Sequence, residues 1–155
     1  MREPVSIEGT PSDGITLTVP GDPVAKARPR VYNGTAVTPL KTRNWEARIR
    51  FLFTHEHPHH IPYQGPVSMD VEFWKPNRGK PDVDNLYKLV ADALNGLAYK
   101  DDSQVKRLLC NVYEPDMKVQ GVRGLRNRKA GDPLTYMGED YEPHTSIRII
   151  PLEEQ

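Results

Sequence analysis

The residues of this chain best suited to chemistry lie in Lys80-Pro81-Asp82-Val83-Asp84-Asn85-Leu86-Tyr87-Lys88 and in Lys100-Asp101-Asp102-Ser103. Three carboxylates meeting at a loop, Asp82, Asp84 and Asp102, would make a hard-oxygen site. Mg²⁺ prefers such a site, because it keeps several waters and takes phosphate oxygens as further ligands. Converging acids repel unless a cation neutralises them. A nearby lysine such as Lys88 could steady the charge that develops on a phosphate. The other reading is structural: Asp at a helix N-terminus is an ordinary cap, and Asp-Asp-Ser is an ordinary turn. Spacing alone leaves both open.

These residues need elements to hold them. Pro81 disfavours helix at Lys80, so a helix begins at or just before Asp84. Leu86, Leu89, Val90, Ala93, Leu94 and Leu97 follow at helical spacing, and Asn95-Gly96 supplies the stop. Lys88 then stands one turn beyond Asp84, and Asp92 one turn beyond Lys88. After Asp101-Asp102, residues 105–113 read as a buried strand. Upstream, residues 67–74 and 15–19 alternate apolar and polar as half-buried strands do. Residues 24–31 lead into a hairpin closed at Asn33-Gly34. Thr38 as N-cap and Pro39 at the first helical position open another helix, with Trp45, Ile49, Leu52 and Phe53 on one face. A last strand falls at 146–152. Residues 1–14 read as a flexible N-terminal segment and 115–145 as a long basic loop or insertion. The order predicts a single α+β domain over 1–155, a mixed β-sheet packed by two main helices.

At 155 residues and 17.6 kDa the chain can bury one core but not two. No apolar run approaches the roughly 20 residues that span a bilayer. A single cysteine, Cys110, allows no internal disulfide, and the expected setting is cytoplasmic, without a membrane. Lys plus Arg equal Asp plus Glu at 21 each, yet the signs are segregated. Residues 26–50 carry Lys26, Arg28, Arg30, Lys41, Arg43, Arg48 and Arg50 against Glu46 alone, and 118–129 carry cations and no acid. The acids gather at 82–102 and in the tails. Such segregation suggests a polyanion-binding face beside an acidic site.

The acidic segment resembles the signature of the RusA family of Holliday junction resolvases. The matching residues are Asp82-Val83-Asp84-Asn85-Leu86, Lys88, Asp92-Ala93-Leu94 and Asp101-Asp102-Ser103-Gln104-Val105. A second block, Pro23-Val24-Ala25-Lys26-Ala27-Arg28-Pro29-Arg30 followed by Thr38-Pro39, is similar to the N-terminal region of many such sequences. The resemblance implies a RusA-like fold and a homodimer that binds branched, four-way DNA. It implies paired symmetric nicks made with Mg²⁺, leaving 5′-phosphate and 3′-hydroxyl ends, in recombination and repair. It makes Asp82, Asp84 and Asp102 the catalytic, metal-binding carboxylates and Lys88 the catalytic lysine. Asn85 and Asp101 take supporting roles. Lys26, Arg28, Arg30, Arg78 and Lys80 become DNA-binding residues on phosphates, which position a duplex without specifying its sequence.

The stretch 115–145 departs from the family by its length. The crowded run His55-Glu56-His57-Pro58-His59-His60 lacks the separated Cys or His ligands of a zinc site and reads as a solvated helix end. Cys110 reads as a small buried hydrophobe. The rival to the nuclease is a non-catalytic branched-DNA-binding protein whose acids only cap a helix.

Overall fold

The computed structural model describes residues 13–27, 30–37 and 39–152. Along the chain the elements are β1 (Ile15–Pro20), β2 (Arg30–Tyr32), β3 (Thr35–Val37), α1 (Leu40–Glu56), β4 (Val67–Trp74), α2 (Val83–Ala93), β5 (Val105–Tyr113), β6 (Lys118–Gly121), β7 (Gly124–Asn127), β8 (Thr135–Tyr136), β9 (Glu139–Asp140) and β10 (His144–Pro151). A short 3₁₀ turn, Asp102–Gln104, leads into β5. No helix among the described residues is long and apolar enough to cross a membrane.

Alternation in β1, β4 and β10 turns one side chain in two toward the helices. Ile15, Leu17 and Val19, then Met69, Val71 and Phe73, then Ile147 and Ile149 form one buried face. They order as β1-β10-β4-β5, with β10 antiparallel to both β1 and β4, and β4 parallel to β5. Helix α1 packs Ile49 and Phe53 into that face, and α2 packs Leu86, Leu89 and Val90. The opposite face carries Asp70, Glu72, Ser146 and Arg148 and lies open. The fold is α+β with a mixed sheet and two helices, as expected.

Five expectations change. Strand β5 is the sheet's outer strand and is not buried: Leu108 and Leu109 are exposed, because α2 covers only part of it. Cys110 is half-buried, with burial and then the charge of Asp70 pushing its thiol up to about 11. Residues 22–27 form no strand; they run irregularly beside α2, and only residues from Arg30 onward pair across the Asn33-Gly34 turn. Helix α1 starts at Leu40 with Pro39 in the cap position, while Thr38 lies outside the described residues, as do residues 1–12. The stretch 115–145 folds as two small hairpins, β6–β7 and β8–β9. An aromatic cluster fastens it to the sheet: Trp74 stacks on Tyr113 at 4.1 Å and on His144 at 5.6 Å, with Tyr136 and Tyr141 edge-on or tilted against them.

Candidate active site

Parallel strands cannot be joined by a tight turn, so the chain crosses over from β4 to β5 through α2. The N-terminus of α2 therefore lies past the carboxyl end of β4. Open sheets with parallel strands place their ligands at that end. The loop between β4 and α2 is fixed by Lys75, 2% exposed, whose ammonium donates to the carbonyls of Gly79 and Pro81 (3.5 Å) and pairs with Glu114 at 3.5 Å. Glu114 also accepts from the Gly79 N–H at 2.7 Å, and Arg78 donates to the Pro115 carbonyl at 2.9 Å. Every charge in that strap holds the path of the chain into Asp82.

Asp82 occupies the N-cap of α2 and Asp84 its first turn. Both are exposed, Asp82 makes no side-chain cap hydrogen bond, and neither forms an ion pair among the described residues. Lys88 is 61% exposed and pairs with Asp92 at 3.5 Å, one turn on. Asp102 opens the 3₁₀ turn at the amino end of β5, after the chain has run from Asp84 through α2. Burial, with added contributions that include Asp102 and Asp92, pushes Tyr87 up to about 12, and the same two carboxylates bear on the buried Tyr99. Among the described residues no three of His, Cys, Asp and Glu gather closely enough to hold a metal ion. Asp82 and Asp84 are exposed carboxylates at one helix terminus. Mg²⁺ is commonly held by one or two carboxylates together with substrate phosphates, so the donor chemistry fits.

Asp101 is settled as a cap. Its carboxylate accepts the Ser103 N–H at 3.0 Å while the Gln104 side chain accepts the Asp101 N–H at 2.9 Å, a reciprocal capping box. The hydrogen bonds from Ser103 lower its pKa. Gln104 then donates to the carbonyls of Tyr63 and Gly65, both at 2.8 Å, fixing the turn that presents Asp102.

Lys26 is not free for phosphate. Its ammonium sits 2.5 Å from Glu46 of α1 and 3.3 Å from Asp92 of α2, and its backbone N–H donates to the Asn85 carbonyl at 2.9 Å. It ties the two helices together beside the N-terminus of α2. Arg28 lies outside the described residues, and Arg30 contributes a backbone position in β2. Lys80 is exposed beside Asp82. The histidines serve the fold: His57 reaches the Thr16 carbonyl at 2.7 Å, and His60 reaches that of Ala98 at 3.0 Å and meets Phe53 and Tyr63 edge-on. Sequence reading passed over Lys75 and Glu114. A lysine directly after the alternating β4 run, in the position where alternation points inward, was the available signal.

The chain matches the family described as "Endodeoxyribonuclease RusA" over residues 20–122. It is also 37% identical over 134 residues to a protein of Bacillus subtilis (strain 168) described as "Uncharacterized protein YqaN", covering 70% of this chain and 94% of that one. The matched span takes in the whole path from β2 through the uncapped carboxylates of α2 to the 3₁₀ turn and β5, and on these grounds the chain belongs to the RusA family of endodeoxyribonucleases, the Holliday junction resolvases whose motifs its acidic segment resembles.

Proposed function

We propose that this protein is a Mg²⁺-dependent, structure-selective endonuclease that resolves four-way DNA junctions as a homodimer, by paired nicks leaving 5′-phosphate and 3′-hydroxyl ends. The observation that carries the reading is the idleness of Asp82 and Asp84: two exposed carboxylates at one helix terminus, used among the described residues neither as caps nor in ion pairs, with Lys80 two positions before Asp82. A protein that only bound branched DNA would gain nothing from unpaired acids facing phosphates.

Asp82 and Asp84 would hold the cation, and Asp102 is the third carboxylate of the reading. A bound Mg²⁺ supplies Lewis acidity at the scissile phosphate and makes water acidic enough to act as nucleophile near neutral pH. The chain's own residues do the rest. The Lys75–Glu114 strap fixes where Asp82 stands, and Lys88 offers a solvent-facing cation one turn from Asp84 to meet charge growing on the phosphate. Arg28, Arg30, Arg78 and Lys80 are proposed to contact phosphates and position the junction.

The test incubates the protein with a labelled synthetic four-way junction and a matched linear duplex, in Mg²⁺ or in EDTA. Symmetric nicks in the junction alone, absent in EDTA, are the expected result. Tight junction binding with no cuts in Mg²⁺ would replace the enzyme with the binding protein.

A further inference from the structure

We propose that the β6–β7 hairpin is a second DNA-contacting element, an arm that lies on duplex flanking the branch point. The inference rests on the nuclease reading above. The family match ends at residue 122, at the hairpin's tip, so the returning strand and the segment behind it lie outside the matched region.

Its surface suits a polyanion. Residues 117–132 hold Lys118, Arg123, Arg126, Arg128 and Lys129 against one acid, Asp132. Asp132 is spent on the base of the hairpin: it takes Arg126 in a two-pronged pair at 2.9 Å and accepts the Lys129 N–H at 2.7 Å. Lys118 meets only the neutral Asn127, and Arg123 and Lys129 pair with no acid among the described residues. Exposed apolar groups stand among these cations, Val122 at 106% of full exposure on the two-residue tip and Leu125 at 71%. A sugar edge in a DNA groove offers such groups a partner while phosphates meet the cations.

The hairpin is also built to hold its position. Asp116, at its entry, accepts from the Thr135 hydroxyl at 2.8 Å and from the N–H groups of Met137 and Gly138 at 3.0 and 3.1 Å. The Arg128 N–H donates to the Met117 carbonyl at 2.9 Å, closing the base. That base continues directly from Glu114 and Pro115, the residues strapped to the loop that delivers Asp82. The arm and the carboxylate pair therefore share one support. Strands of four residues reach about 13 Å, enough to follow about four phosphates of one strand.

The experiment measures junction affinity in EDTA between 50 and 200 mM salt for the wild type, for the double variant Arg123→Ala/Lys129→Ala, and for Val122→Glu. Losing two phosphate contacts should reduce the slope of log affinity against log salt by about 1.8, with circular dichroism and thermal midpoint unchanged, since neither side chain has a partner to lose. Val122→Glu should weaken binding several-fold at the lowest salt. An unaltered slope and affinity in both variants, with the wild type binding well, would overturn the arm, and is what a hairpin serving a protein partner would give. A wild type that binds no junction would bring down the nuclease reading and the arm together.

Discussion

Asp82 holds the N-cap position of α2 and yet accepts no hydrogen bond from it. Capping contributes about 0.5–2 kcal/mol when the side chain turns back on the helix, and that gain is forgone here. Asp84→Asn removes one charge from the pair without changing its shape. Cleavage of a four-way junction should fall by about 10²-fold or more, while junction affinity stays the same or rises because one repulsive charge facing phosphate is gone. Unchanged cleavage rates in a gel assay would remove Asp84 from the site. This part of the site was legible because Asp82, Asp84 and Lys88 lie within two turns, where local rules fix relative position. Asp102 was not: its place depends on which end of β5 the crossover delivers, and no spacing encodes that. Lys26 misled for a related reason. A cation in a basic run looks free until a partner twenty positions on, Glu46, packs beside it.

Among elements, the loop 75–82 and the α1–α2 pair do the positioning. Lys75→Met leaves the carbonyls of Gly79 and Pro81 and the Glu114 carboxylate without their donor. It should cost about 1–3 kcal/mol in thermal unfolding and lower the cleavage rate more than junction affinity, because the loop sets where Asp82 stands. Equal stability and rate in the variant would take the strap out of the site's support. Between the helices, burial opposes the charge on Lys26, but hydrogen bonds to Glu46 and Asp92 outweigh it and raise its pKa above 10.5. A raised folded pKa means that the stabilisation is complete below 10.5 and fades as pH climbs through the folded value. Lys26→Met should therefore be less stable by about 1 kcal/mol at neutral pH, and the gap from wild type should close in denaturation curves above pH 10.5. A gap that stays constant into strong alkali would put the Lys26 contribution in packing instead of charge. The strands of the main sheet and both helices could be read ahead because their periods run for six residues or more. The hairpins of 115–145 could not: strands of two to four residues carry no period, and what fixes them, the Trp74 cluster and Asp116, is contact at long range. The run at 105–113 looked buried because apolarity alone does not separate a central strand from an edge.

For the whole molecule, a balanced total of 21 cations and 21 acids conceals their segregation along the chain, cations at 26–50 and 118–129 and acids at 82–102. A four-way junction is two-fold symmetric, and on the proposed reading two opposed nicks would need two copies of the proposed Asp82–Asp84 site, one from each of two chains. A closed two-fold dimer is the simplest way to present two such pairs in register with the junction. Among the described residues strand β5 leaves one edge unpaired, with Leu108 and Leu109 exposed beside it, a surface that proteins ordinarily cover. The proposed dimer is tested by mixing wild type with excess Asp84→Asn, allowing subunits to exchange, and acting on a supercoiled plasmid that extrudes a cruciform. Two cuts in one encounter make the circle linear; one cut leaves it nicked. Mixed dimers hold a single complete pair, so the product should shift from linear to nicked circles as the inactive chain is added, and the total rate should fall less steeply than the linear yield. If single chains act independently, the inactive chain will slow both products equally and their ratio will not move.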